Sequence, residues 1–412
     1  MINPASAVSA ALLAALLAVG AHLPPPPAPD TTTVKEVIDV METPTYAAAT
    51  AELSLRLLRL TADDPTRMVS ALSLSEALTL LAEGASGQTL EELEGTIGMS
   101  IEDLRDALPA YLESLPSTEK AAFRSANSVW AEENGFVLDE SYAQRIRDRY
   151  AAEIVPISFA APGAAARING WVSDATDGMI PKLVDDDSVR SLTMLLVNAL
   201  CFDAKWERPF DATTVPGDFY CADGTAKKVD YMISKSDRQL IDSNGTLGFV
   251  KPYVGGSYSF VALLPPEGTS LDDYLAEMSG EDFVALVKSA EACDQLRIRM
   301  PRFKLDYSIK LNETLQALGV NRIFSPADAE LNGLGKAGGN LYVDTVLQKT
   351  HIDVDTEGTR AAAVTAIMVK ATSARPPMEY REVNLDRPFV YAIIDNATAT
   401  PLFIGTIAEL GK

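Results

Sequence analysis

Histidine is nearly missing from this chain: of 412 residues, only His22 and His351 carry an imidazole. His22 falls in the N-terminal tail and His351 in an alternating stretch that reads as a strand, so a histidine-based catalytic triad is nearly excluded. No H-E-x-x-H metal motif, Walker phosphate loop or G-x-S-x-G elbow occurs either. The chain is therefore expected not to be an enzyme and to need no metal and no cofactor. Cysteine is also sparse. Cys201, Cys221 and Cys293 are odd in number, imply no disulfide framework and are expected to be buried or inert thiols. Basic residues are outnumbered, 35 Lys and Arg against 57 Asp and Glu, for a formal charge of -22. That balance argues against nucleic acid or an anionic membrane as partner, because both need basic patches, and it favours solubility.

Hydrophobic residues make up 47% of the chain, ample for a large core. The length alone suggests two or three domains. Near the N-terminus, the uncharged Ala/Leu run Ala5–Ala21 has about the length of a signal-peptide apolar core and ends in Val19-Gly20-Ala21, a small-residue cleavage site. No Lys or Arg precedes it, and it is slightly short for a spanning helix, so a membrane anchor is the alternative to a cleaved signal. Pro24–Pro27 and Pro29 follow as an extended spacer. Residues 1–29 are thus expected to be an export signal or anchor with a Pro-rich spacer, and the protein to be secreted or extracytoplasmic.

Further along, Thr45–Leu60 reads as an amphipathic helix, stopped by Asp63-Asp64-Pro65. Ile101–Ser114 carries Glu102, Asp103, Asp106 and Glu113 against a single Arg105, a solvated acidic face that predicts no heparin-like polyanion partner. Ala126–Trp130 reads as a strand and Asp139–Tyr150 as a helix. Leu195–Phe202 reads as a central strand holding one amide, Asn198; left unpaired in a core it would cost about 1–3 kcal/mol, so it needs partners. Tyr258–Leu264 looks like a core strand, Leu311–Leu318 a short helix closed by Gly319, and Pro388–Ile394 with Pro401–Ile407 a hairpin around Asp395-Asn396.

The stretch that gives the chain its character is Thr356–Pro377, T-E-G-T-R-A-A-A-V-T-A-I-M-V-K-A-T-S-A-R-P-P. Before it, Val346, Gln348, Thr350, Ile352 and Val354 alternate like one face of a half-buried strand. Gly358 permits a reversal that a side chain would resist. In an extended segment beyond it, Thr359, Ala361, Ala363, Thr365 and Ile367 share one uncharged face, with Arg360 on the other. Pro376 and Pro377 close the segment, since neither can donate to a sheet ladder. Composition alone would read it as an Ala-rich loop or short helix; the motifs around it point to a strand held in reserve.

The run E-G-T-R-A-A-A-V-T resembles the reactive-loop hinge of serpins, serine protease inhibitors that trap proteases by inserting this loop into their own sheet, itself a standing example of strand addition. Ser70-Ala71-Leu72-Ser73, Gly84–Thr89, Ile168–Val172 with Thr176–Ile180, Leu195–Phe202, Lys205–Phe210, Arg297–Phe303 and Pro401–Gly405 are similar to serpin stretches in the same order. The resemblance, closest to bacterial-type inhibitory members, implies one α+β domain over residues 45–412. It should hold three β-sheets, about eight or nine helices and an exposed reactive-centre loop near 356–377. The implied hinge residues are Glu357, Gly358, Thr359, Ala361, Ala362 and Ala363. Beneath the sheet, Asn198 is implied to bond with Ser70, Ser73 and Gln348, and Trp206 to stand where the loop enters. Ile168–Val172 should lie across the sheet and Arg297–Phe303 on a sheet edge. Two positions depart from the family pattern: Ala71 stands for Pro, and Gln348 for a frequent His. An amide donates and accepts much as a neutral imidazole does, but it does not titrate near neutral pH.

The function so implied is suicide-substrate inhibition by a monomer. A serine protease acylates the reactive bond, forming a covalent acyl complex, and the freed loop inserts before deacylation. Family spacing puts that bond at Thr372-Ser373, where a small residue suits elastase-like or subtilisin-like proteases. Lys370 and Arg375 are trypsin-like alternatives, disfavoured by a shortened inserted strand and by Pro376. The alternative is a non-inhibitory serpin acting as a binding, chaperone or structural protein. Such relatives typically carry charged, bulky or Pro residues in the hinge, and Ala361–Ala363 has none.

Overall fold

Alternating hydrophobicity builds the central sheet of the protein, seen here in a computed structural model that describes residues 44–116, 121–134, 136–150, 152–359 and 380–410. The proposed export segment and spacer (1–29), Ala361–Ala363 and Thr372-Ser373 lie outside the described residues. Six strands form this sheet: β1 (Ala121–Glu132), β2 (Glu153–Ile157), β3 (Met194–Lys205), β4 (Phe303–Lys310), β5 (Thr345–Val354) and β6 (Gly358–Thr359), in the order β4-β5-β6-β3-β1-β2. β3 is apolar along both faces because both are covered. Its Leu195, Val197, Ala199 and Cys201 pack with Trp130 and with Ile168 and Val172 of helix Ala164–Ala175. On the other face Asn198 meets helix Ala71–Ala82, in which every residue is buried. That helix starts without the family's proline. Ala71 takes the first helical position, where Pro would be pre-organised, and the Ser70 hydroxyl caps it by accepting from the Ser73 amide at 3.3 Å.

A seven-stranded sheet contains Tyr258–Leu264 beside the antiparallel pair Phe389–Asp395 and Pro401–Ile407; a four-stranded sheet and a two-stranded ladder, Phe136–Leu138 with Gly335–Ala337, complete the strands. Ten α-helices and one short 3-10 turn occur among the described residues, so the α+β class is as expected, with the small ladder in addition to three larger sheets. None of the helices is long and apolar enough to cross a membrane.

One expectation is corrected. Arg297–Phe303 is not an edge strand: Leu296–Pro301 lies inside the four-stranded sheet, parallel to Arg381–Asn384 on one side and antiparallel to Ala226–Ser234 on the other. The chain beyond the reactive loop returns to cover that edge. Phe303 begins β4, which is an edge, but of the six-stranded sheet. Cys201 and Cys221 are buried, but Cys293 is only half-buried; all three are free.

Candidate functional site: the hinge and the sheet opening

Strands β5 and β3 run parallel and pair directly from Thr345 opposite Leu195 to His351 opposite Cys201. Above that point they part, and β6 fills the gap. It is antiparallel to both, with Thr359 opposite Val354 on one side and Ala204 on the other, and Gly358 opposite Lys205. The reversal between β5 and β6 is a tight turn, Asp355-Thr356-Glu357-Gly358. The Asp355 amide donates to the Gly358 carbonyl at 2.9 Å, while the Asp355 carboxylate accepts from the amides of Glu357 (2.8 Å) and Gly358 (3.1 Å). Gly358 is required for a reason the sequence did not reveal: it is not among the positive-φ residues, but a Cβ there would lie 2.2 Å from the Ala204 carbonyl oxygen of β3.

The Lys205–Phe210 stretch cradles this turn. The Phe210 amide donates to Thr356 O, the Trp206 amide to Glu357 O and the Trp206 Nε1–H to Asp355 O, each at 2.9 Å. Three consecutive carbonyls of the hinge are thus satisfied by one short segment. The Trp206 ring is fully buried, stacked on Tyr253 with centroids 4.5 Å apart and edge-on to Phe210 and Phe260. Beneath it, Lys251 forms a buried ion pair with Asp237 at 2.8 Å, donates to the Arg208 carbonyl at 2.7 Å and lies 4.2 Å from the Phe210 ring centroid. Burial pulls the Lys251 ammonium below its usual pKa, and Asp237 opposes that shift. Sequence reasoning reached Trp206 but missed Lys251, Asp237 and Tyr253. The only signal was a lysine inside the otherwise apolar run Phe249-Val250-Lys251.

Lower in the sheet, four of the sequence-chosen residues meet. Asn198 Nδ2 donates to Ser73 O at 2.9 Å, to Ser73 Oγ and to Asn127 Oδ1 at 2.6 Å; its Oδ1 accepts from Gln348 Nε2 at 3.1 Å. Gln348 also donates to Ser70 O (3.0 Å) and accepts from the Ser70 amide (3.1 Å). Ser70 therefore serves Gln348 through its backbone, leaving its hydroxyl to cap the helix. Two members were not foreseen. Asn127 stands opposite Asn198 across β1 and β3, and its Nδ2 donates to Glu76 Oε2 at 2.7 Å. Glu76 lies one turn beyond Ser73 on the same helix. Breaking a buried network of this kind costs a few kcal/mol. Asn198→Leu is expected to melt earlier than the parent and to appear as latent or polymerised protein by size-exclusion chromatography after mild warming. A variant that stays monomeric and melts with the parent would count against the cluster's role.

His351 sits three residues beyond Gln348 on β5, its Nδ1 2.5 Å from the Asp306 carboxylate on β4. Among the described residues, no group of three or more His, Cys, Asp or Glu side chains is arranged to hold a metal ion.

The sheet thus holds, as β6, two residues of the segment that follows β5, set between β5 and β3. The family model described as "Serpin (serine protease inhibitor)" matches residues 48–410, and the chain belongs to that family. It is 32% identical over 386 residues to Iripin-8 of Ixodes ricinus, covering 88% of this chain and 93% of that one. It is 31% identical over 355 residues to leukocyte elastase inhibitor A of Mus musculus, covering 82% of this chain and 92% of that one. Among solved structures, the thermophilic serpin tengpin in its native state is 39% identical with a TM-score of 0.82, covering 89% of this chain and 94% of that chain. The latent state of tengpin gives 37% and 0.75, covering 89% and 98%. The native arrangement is thus the better match.

Proposed function

We propose that this protein is an exported, monomeric suicide-substrate inhibitor of serine proteases, elastase-like or subtilisin-like in target. The protease serine acylates Thr372 at the Thr372-Ser373 bond, and the freed loop inserts between β5 and β3 before the ester is hydrolysed. The observation that carries this reading is β6, a two-residue strand already antiparallel to both neighbours and leading into an uncharged Ala361–Ala363. If its register continues, each further loop residue pairs one residue earlier on β5 and on β3. Thr365, six positions past Thr359, then falls between Gln348 and Asn198, six before Val354 and Ala204. Its hydroxyl, on the inward face shared with Thr359, can replace the bond those two amides give up on parting. Partners on the two strands end at Thr345 and Met194, opposite loop residues 368 and 369, so Thr372 reaches the foot of the sheet, roughly 40 Å from Thr359.

No polyanion cofactor belongs to this reading. On helix Ile101–Ser114, Glu102, Asp103, Asp106 and Glu113 are exposed, and the lone Arg105 is committed to the buried Glu83 carboxylate at 3.0 and 3.2 Å.

The test is incubation with elastase, subtilisin and trypsin, followed by denaturing gels and mass spectrometry of the released peptide. The expected result is a protease complex that survives denaturation and a peptide whose mass corresponds to Ser373–Lys412. A peptide beginning at Ala371 or Pro376 would move the target to trypsin-like enzymes, and cleavage with no complex would favour a non-inhibitory role.

A further inference from the structure

We infer that Tyr253 is a positioning residue for loop insertion: its buried hydroxyl docks the Thr359 hydroxyl and so fixes the register in which the later loop residues enter. The inference rests on the inhibitory reading above. Tyr253 OH and Thr359 Oγ1 are 2.6 Å apart, and both residues are 0% exposed. The ring is held on several sides. Its backbone bridges to Trp206, its amide donates to Tyr258 O at 3.0 Å, Trp206 stacks on its face, and Phe202 meets it edge-on with centroids 4.9 Å apart. The hydroxyl therefore has a fixed position. Burial pushes the phenol far above its ordinary pKa, so it keeps its proton at any physiological pH.

The turn at Asp355–Gly358 sets the first β6 pair, but a strand of two residues adds few bonds of its own to hold it, and a slip of one residue reverses every side chain. A slip would bring either Gly358, which has no hydroxyl, or Arg360, whose charge would then face inward, to Tyr253. Each leaves a phenol buried without its partner. Of the three, only Thr359 meets it with an uncharged hydroxyl, and in that register Ala361, Ala363 and Thr365 follow on the inward face.

The experiment compares the full chain with Tyr253→Phe, Thr359→Val and the double variant; Phe keeps the ring packing. Two quantities are read: amide hydrogen exchange at residues 358–359 without protease, and the rate at which a denaturation-resistant complex forms with subtilisin. In each single variant, exchange is expected to rise and complex formation to slow, each by about tenfold, from the loss of one buried hydrogen bond. The initial cut should proceed at the parental rate. The double variant should change both readouts by no more than about twofold beyond either single variant, because the two hydroxyls act through one shared bond. Unchanged exchange in Tyr253→Phe, or effects of the two single variants that simply multiply in the double variant, overturns the inference. Because exchange is read without protease, a chain that never traps a protease counts against the inhibitory reading, whereas an unchanged exchange pattern counts against the docking.

Discussion

Replacing Ala363 with Glu is expected to turn the protein from an inhibitor into a substrate. Continued from β6, the register carries residue 363 to a position between Thr350 of β5 and Leu200 of β3, both fully buried, on the inward face. An unpaired carboxylate there costs several kcal/mol unless it takes up a proton. Each 1.4 kcal/mol added to the insertion barrier slows it tenfold, so several kcal/mol lets deacylation finish first. Acylation itself should be untouched, since the scissile bond lies nine residues away. The variant is therefore cut at the parental bond but releases active protease. The same register sets the control. Residue 360 would fall on the outward face between Asp353 and Asp203, both half-buried, so Arg360→Gln is the suitable comparison and a Glu there would add a third carboxylate. The measurement is the moles of inhibitor consumed per mole of protease inactivated. It should rise many-fold for Ala363→Glu and stay near the parent's for Arg360→Gln; equal values would defeat the alternating-face argument.

Elements set by local pattern were legible in the sequence. Ile101–Ser114 and Tyr258–Leu264 have the expected bounds, the first because Ser100 caps it by accepting from the Asp103 amide at 3.2 Å, the second because a short apolar run ends at Pro265-Pro266. Asn198 was legible as a polar group in an apolar strand, though Ser70, Ser73 and Gln348 came from family resemblance. What was not legible depends on pairing between distant segments. Asn127 joins the cluster only because β1 lies beside β3, and Lys251 finds Asp237 only because the segment around Ser236, whose carbonyl accepts from Arg208, comes back to the Lys205–Phe210 stretch. The resting position of the hinge was equally hidden. Whether two residues of a loop are inside or outside the sheet depends on one tyrosine hydroxyl and three backbone amides or ring N–H groups, none of which periodicity reports.

On the inhibitory reading proposed above, the intact protein holds an unused strand and becomes more stable once that strand is inserted. Insertion would replace the single direct ladder between β5 and β3 by two ladders, one on each side of the loop. A net gain of some ten backbone hydrogen bonds at ~0.5–1.5 kcal/mol each is on the order of 10 kcal/mol. That is comparable to the whole stability of a typical domain, about 5–15 kcal/mol. A cut in an ordinary loop leaves thermal stability unchanged or lowers it. The deciding measurement is the melting temperature of the protein before and after one cut at Thr372-Ser373, with the released segment left associated. A rise on the order of 10 °C or more is expected for a chain of this size. A nicked protein that melts at or below the temperature of the intact one would contradict the account.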